Sequence, residues 1–269
     1  MKGIILAGGN ATRLFPLTHT TCKQLLPVYN KQMIFYPLNT LIKAGIKDIL
    51  IIVNPETAGQ FISLLGPVFE HTDISVQFKV QTVPRGLADA FIIGEKFIDN
   101  DDVALILGDN IFEDNFYEDV ARFRSSIGGC RIFLKYVQNP KRYGVAVIDT
   151  NNTITNIVEK PTTNISHYAV VGFYLFDKNI IKIAKSLSPS NRGELEITEA
   201  IRSYLILTGQ CKHKVIEGAW FDAGTYEDYL FAGAEVFWHK QLREFCPEIE
   251  DGITRYNDHR KEILKKQLG

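Results

Sequence analysis

Three short apolar runs constrain this chain more than any other feature, because each ends abruptly at a turn. Gly3-Ile4-Ile5-Leu6-Ala7, Ile49–Val53 and Val103–Leu107 carry no charge, and all three contain Leu, Ile or Val at most positions. They are too short for helices and have the composition of strands buried on both faces of a parallel sheet. Helical patterns lie between them. Met33–Ala44 places Ile34, Leu38, Leu41 and Ile42 on one face, with Pro37 tolerable near the first turn and Gly45 as a stop. Glu56–Leu65 predicts a second helix, Ser75–Gln81 another strand, and Gly86–Phe97 a third helix, apolar at Leu87, Ala90, Phe91 and Phe97. Alternation at this pitch means βαβ units, that is, an α/β fold with a mostly parallel, Rossmann-like sheet and helices on both faces. Right-handed crossovers place a ligand crevice at the carboxyl ends of such strands.

Two of those ends carry chemistry. The first strand breaks at Gly8-Gly9, where the backbone can turn sharply and approach a ligand without an intervening Cβ. Arg13 and Lys23 follow as cations free to face whatever the turn holds. A glycine turn with exposed N–H groups and nearby cations suits a polyphosphate, although a tight turn beside two solvated cations reads the same way. It is not a P-loop, since no Gly-Lys-Ser/Thr follows, and the adjacent glycines fail the dinucleotide spacing. The third strand ends at Gly108-Asp109-Asn110, and a carboxylate there is costly unless it meets a cation or donors. Asp222, in Trp220-Phe221-Asp222-Ala223-Gly224-Thr225, has a similar apolar approach. Two such carboxylates together with phosphate oxygens suit Mg²⁺. Alternatively Asp109 closes an Asx turn or caps the next helix, and Asp222 caps the helix after Thr225.

Formal net charge is −1, from 30 basic and 31 acidic residues, so no basic surface is available to track a nucleic acid. Phosphate affinity must be local, and the partner is a small anion. Cys22, Cys130, Cys211 and Cys246 are widely spaced, without a disulfide framework or zinc pattern. Cys22 adjoins Lys23, either as a thiol of lowered pKa or as a packed side chain. The six histidines are scattered, and no Ser-His-Asp or Cys-His arrangement suggests itself. The N-terminal apolar run is too short for a signal segment, and the uncharged stretches fall below a membrane span, so a cytoplasmic protein without a membrane partner is expected.

From Cys130 the pattern becomes β-rich. Arg131–Val137, Gly144–Asp149 and Thr153–Glu159 predict strands with a turn at Asn151-Asn152, followed by a strand over Ala169–Phe176. Helices are expected at Lys178–Leu187, Leu195–Leu207 and Tyr226–Trp238, and the charged segment Pro247–Gly269 as a surface helix or tail serving oligomer contacts. With no repeats or long linkers, residues 1–246 read as one domain.

The strings LAGGNATRLFPLT and KQLLPVYNKQMIFYPL resemble the signature of the sugar-1-phosphate nucleotidyltransferases, most nearly their thymidylyltransferase branch. PRGLADAF, LILGDNIF, RYGVAVID, VEKPTT, YAVVGFYLFD, RGELEITEA and WFDAGT continue the resemblance in the family's order from Gly3 to about Tyr229. It implies the nucleotide-diphospho-sugar transferase fold, with a nucleotide-binding half near 1–125 and a sugar-phosphate half, the β-rich insertion, near 126–246. It further implies Mg²⁺-dependent transfer of a nucleotidyl group from dTTP, or from UTP, to glucose 1-phosphate by a homo-oligomer. By resemblance, the backbone of Gly8, Gly9, Ala11 and Thr12, with Arg13, Lys23 and Gln24, wraps the triphosphate. Gln81 and Gly86 read the base, and Asp109 and Asp222 hold the metal. Gly144, Glu159, Lys160, Val170 and Arg192 take the sugar phosphate, with Tyr143 beside them and Trp220 packing either on the sugar or in the core. The chain departs from the family pattern at Ala11, where glycine is usual, and at Asn30 and Gln32. It also departs at Arg85 and Asp89, which replace an acid and a glutamine beside the base and ribose. A non-catalytic nucleotide-sugar sensor would show a broken constellation, whereas Arg13, Lys23, Asp109, Lys160 and Asp222 are all present.

Overall fold

The computed structural model describes residues 1–9, 12–126, 128–209 and 211–268, with side chains to residue 263. Among them the main sheet has nine strands. Its spine runs Ile154–Glu159, Gly144–Ile148, Tyr168–Phe176, Val103–Leu107, Lys2–Ala7, Asp48–Val53 and Ser75–Val80. The last four of these are mutually parallel, as the apolar runs predict. Gly144–Ile148, Ile154–Glu159 and Tyr168–Phe176 join antiparallel, which is the β-rich part. Cys130–Tyr136 pairs with Tyr168–Phe176, and Cys211–Val215 adds a parallel edge strand that the sequence reading did not predict. Its Cys-Lys-His-Lys-Val composition carries no apolar run to announce it.

Side chains alternate across the sheet, so each buried strand feeds both faces. Ile5, Ile49 and Ile51 join Leu38, Leu41 and Phe61 on one side. Ile4, Leu50, Ile52 and Leu105 join Phe91, Ile201 and Tyr204 on the other. The first face also holds an aromatic cluster, with Phe116 4.7 Å from both Phe133 and Phe173 between ring centroids.

Helices form where the apolar spacing predicts them, with shifted ends. Phe35–Lys43 stops before Gly45, whose φ of +80° favours a residue without a Cβ. The helix expected over Glu56–Leu65 spans Ala58–Phe69, and Gly86–Phe97 resolves into Asp89–Ile93 and Glu95–Ile98. At the break, a Cβ on Gly94 would lie 2.7 Å from Ile4 Cδ1, so glycine lets this segment lie close on the sheet. Ile180–Ser186, Ile197–Thr208 and Tyr226–Trp238 complete the expected set. The charged C-terminal segment is a helix, Pro247–Leu268, docked at its start on Ala58–Phe69 through buried Ile249. No helix of the described residues is long and apolar enough to cross a membrane.

Register decides what gathers at the carboxyl edge. Ala7 pairs with Val53, Val53 with Val80, and Leu6 with Leu107, so Gly8, Gln81 and Gly108 leave the sheet side by side.

Candidate functional site

A cleft of about 400 Å³ opens at that edge. Of the residues singled out in the sequence, Gly9, Arg13, Lys23, Gln24, Asp109, Gly144, Glu159, Lys160, Val170, Arg192 and Asp222 line it, together with Tyr143 and Trp220. Gly8, Thr12, Gln81 and Gly86 are not among the residues that line it, and Ala11 lies outside the described residues. Residues separated by two hundred positions in the chain thus converge on one space.

The phosphate end is built from two short elements. Thr12–Leu14 is a single 3₁₀ turn presenting Arg13, and Lys23–Leu25 is another presenting Lys23 and Gln24. Lys23 Nζ donates to Asp109 Oδ2 in a mostly buried ion pair. Gln24 is almost fully buried, yet its Oε1 has no hydrogen-bond partner among the described residues, which leaves an acceptor for a ligand donor. Next to Lys23, burial pushes the Cys22 thiol up, so of its two readings the packed side chain is the one seen.

Asp109 and Asp222 are joined by a two-stranded antiparallel ribbon, Asn110–Phe112 against Trp220–Asp222, in which Asp222 lies opposite Asn110. The Ala223 N–H donates to the Asp109 carbonyl at 3.0 Å. Both carboxylates face the space beside Gly224, where a Cβ would lie 3.1 Å from Asp222 Oδ1 and 3.9 Å from Asp109 Oδ2. Their electrostatics diverge. Burial alone would raise Asp109, but the Lys23 ammonium outweighs it and holds the carboxyl below its usual range. Asp222 has no ion pair among the described residues, and burial, followed by the Asp109 charge, pushes it up to about 7. Two converging buried carboxylates, one destabilised by the other, form a donor set that a divalent cation relieves, and Mg²⁺ fits it. The helix-cap alternative for Asp222 fails, because Thr225 Oγ1 caps Tyr226–Trp238 by accepting from the Asp228 N–H.

Asn110 lines the cleft and is a residue that the sequence reading passed over. Its Nδ2 donates to Asp109 Oδ1 at 3.0 Å, while its Oδ1 accepts from Trp220 Nε1 at 2.7 Å and from the Gly172 N–H at 3.1 Å. The available signal was an amide directly after a carboxylate at the end of an apolar strand. Arg142 also lines the cleft and is paired with Asp228, and its guanidinium lies 5.7 Å from the Tyr143 ring. Tyr143 in turn contacts Trp220 with ring centroids 5.2 Å apart.

The β-rich part contributes Gly144, Glu159, Lys160 and Val170 to the same cleft. Lys160 follows the strand Ile154–Glu159 with φ of +41°, in the left-handed region that side-chain-bearing residues rarely use. Its N–H donates to the Tyr143 carbonyl at 3.0 Å, which holds the unusual backbone in place. Burial, then the neighbouring Glu196, push Glu159 up against the opposing pull of Lys160 and Arg192. Arg192 is tied to carboxylates, reaching Glu196 at 2.8 Å and Glu159 at 3.3 Å.

A family model described as Nucleotidyl transferase matches residues 2–237. The chain is 47% identical over 239 residues to the glucose-1-phosphate thymidylyltransferase of Neisseria meningitidis, covering 88% of this chain and 82% of that protein. It is 46% identical over 234 residues to the enzyme of the same name from Mycobacterium tuberculosis, covering 86% and 81%. Among solved structures, a putative glucose-1-phosphate thymidylyltransferase from Bacillus anthracis, in complex with a sucrose, superposes with a TM-score of 0.85. It is 39% identical, and the match covers 93% of this chain and 99% of that one. A UDP-glucose pyrophosphorylase at 22% identity and a TM-score of 0.75 shares the fold, over 88% of this chain and 98% of its own.

Proposed function

The chain belongs to the nucleotidyl transferase family, and from that premise we propose that it transfers the deoxythymidylyl group of dTTP to glucose 1-phosphate, releasing pyrophosphate and forming dTDP-glucose. One observation carries the reading: Arg13, Lys23, Asp109 and Asp222 line a single cleft together with Gly144, Glu159, Lys160 and Val170. That is one anion-binding end for each of two phosphate substrates, with the first supplied by about 1–125 plus Asp222 and the second by about 126–246.

In the reaction a phosphate oxygen of glucose 1-phosphate bonds to the α-phosphorus. The bond from that phosphorus to the α–β bridging oxygen breaks, and pyrophosphate leaves with the electron pair. No protein nucleophile is needed, and the work is to bring two anions together in line. In this reading Lys23 neutralises the α-phosphate and Arg13 the departing pyrophosphate, where charge accumulates. The backbone of Gly8, Gly9 and Thr12 wraps the triphosphate. Lys160 holds the sugar phosphate, Arg192 supplies a second cation at that end, and Glu159 accepts from sugar hydroxyls. The main chain of Gly144 and Val170 lines the sugar pocket, with the Tyr143–Trp220 pair alongside. Asp109 and Asp222 would hold Mg²⁺, which when bound lends positive charge to the phosphate oxygens. Asn110 keeps Asp109 turned toward that position.

The test is pyrophosphate release from glucose 1-phosphate and Mg²⁺ with dTTP, UTP, CTP, GTP and ATP in turn. Turnover with dTTP at or above that with UTP is the expected result. Folded protein that releases no pyrophosphate with any of the five would overturn the reading.

A further inference from the structure

The side chain of Gln81 is held by Arg85 and Asp89, two of the positions where the chain departs from the family pattern. Gln81 is buried at the carboxyl end of Ser75–Val80, and its Nε2 donates to Asp89 Oδ2 at 2.9 Å. The other carboxylate oxygen, Asp89 Oδ1, accepts from Arg85 Nη2 at 2.9 Å. Asp89 is 1% exposed, so this is not a solvated ion pair on a helix surface, and both of its oxygens are committed. The loop that carries the pair is clamped. The Leu195 N–H donates to the Arg85 carbonyl at 2.7 Å, and the Ala88 N–H donates to the Leu195 carbonyl at 3.1 Å. A Cβ on Gly86, whose φ is +99°, would lie 2.5 Å from that same Leu195 carbonyl oxygen.

An amide can ordinarily turn either end toward a partner, but a carboxylate offers only lone pairs. Facing Asp89, Gln81 must present its NH₂. Its Oε1 is therefore turned toward Gly8, where a Cβ would lie 3.0 Å away, and it has no hydrogen-bond partner among the described residues. We infer that Asp89, anchored by Arg85, is a positioning residue that locks Gln81 as an acceptor toward the nucleotide base, so that the site selects bases with an N–H on the pairing edge. This rests on the reading of the cleft as a nucleoside triphosphate site and deepens it. Thymine and uracil carry that donor at N3, whereas cytosine carries a lone pair there and meets the Gln81 oxygen acceptor to acceptor. The lock does not read the thymine methyl group, so it separates dTTP and UTP from CTP and not from each other.

The experiment is calorimetric binding of dTTP, UTP and CTP to the intact protein with Mg²⁺ and no sugar, for wild type, Asp89→Asn and Asp89→Gln. Wild type is expected to bind dTTP and UTP about 100-fold or more tighter than CTP, as sites built around one buried hydrogen bond do. In both variants the ratio should shrink to about tenfold or less, chiefly through tighter CTP binding, because Gln81 is free to turn its NH₂ outward. Asparagine matches aspartate in shape, so a merely structural Asp89 predicts an unchanged ratio with all three affinities falling together. That result in both folded variants, or wild type binding CTP as tightly as dTTP, overturns the inference. Selective binding of dTTP and UTP without pyrophosphate release on adding glucose 1-phosphate would instead sink the proposed reaction and leave the role of Asp89 standing.

Discussion

Asp109 and Asp222 carry the same functional group in opposite electrostatic states, and the difference comes from Lys23. Replacing either by asparagine keeps the shape and removes a charge. Asp109→Asn and Asp222→Asn are each expected to lower kcat about 100-fold or more while leaving the circular dichroism spectrum intact. A near-normal rate at saturating Mg²⁺ would remove that residue from the metal role. Asp222 also predicts a pH effect of definite sign. An acid whose pKa rises on folding holds its proton more tightly folded than unfolded, so stability declines as pH climbs from 3.8 through about 7 and levels off above. Metal-free protein should therefore lose Tm between about pH 5 and about pH 8 by an amount that Asp222→Asn removes. Mg²⁺ should restore more Tm at the upper pH, because protons compete for the same oxygen. A Tm that climbs over this range in wild type relative to Asp222→Asn would contradict the assignment.

At the scale of elements, the proposed metal site depends on a ribbon of two very short strands and on one glycine. Asn110–Phe112 and Trp220–Asp222 bring the second carboxylate to the first, and Gly172 on Tyr168–Phe176 leaves room for the amide that steers Asp109. A Cβ on Gly172 would sit 2.5 Å from Asn110 Oδ1. Gly172→Ala is thus expected to cost about 1–3 kcal/mol in urea unfolding and to raise the Mg²⁺ concentration needed for half-maximal rate, since Asn110 must swing away from Asp109. Unchanged Mg²⁺ dependence in a stable Gly172→Ala protein would show that Asn110 does not steer the carboxylate. Neither ribbon strand was legible in the sequence, because each is too short for side-chain alternation to register. Most of the longer elements were legible because their apolar spacing repeats over a turn or more, although the helix Tyr117–Arg124, with four charged residues in eight, was not predicted. Phe35–Lys43 and Tyr226–Trp238 therefore formed where expected, while Cys211–Val215, with no apolar run, did not announce itself.

For the whole molecule, stability and site geometry share one scaffold. The central strands Lys2–Ala7, Asp48–Val53, Val103–Leu107 and Tyr168–Phe176 are mostly buried on both faces, and the parallel strands end together, so the cleft sits on the edge of the core. The C-terminal helix belongs to that scaffold at its start. Ile249 is fully buried, and a Cβ on Gly252 would lie 2.2 Å from the Val68 carbonyl oxygen. Gly252→Ala should push Pro247–Leu268 away from Ala58–Phe69 and cost about 1–3 kcal/mol in urea unfolding, with kcat at moderate temperature unchanged because the contact is remote from the cleft. Loss of kcat in folded Gly252→Ala protein would mean that the helix also supports the site.

The order of apolar runs and turns in the sequence determined the parallel sheet, the edge at which a ligand binds, and the cations and carboxylates available there. These follow from local physics: burial on both faces selects β-branched runs, and a glycine turn permits close approach to phosphate. The folded chain alone decided which of those groups meet. The pairing of Asp109 with Lys23, the tying of Arg192 to Glu159 and Glu196, and the fixed orientation of Gln81 by Asp89 are contacts between charged or polar side chains, while the opposition of Asp222 to Asn110 is a strand register. Apart from Gln81 with Asp89 and the i,i+4 pair of Arg192 with Glu196, the partners come from distant parts of the chain, and no spacing signals those distant pairings. Their energies depend on burial and on the sign of the neighbouring charge, which exist only once the sheet has formed and its edge has closed over them.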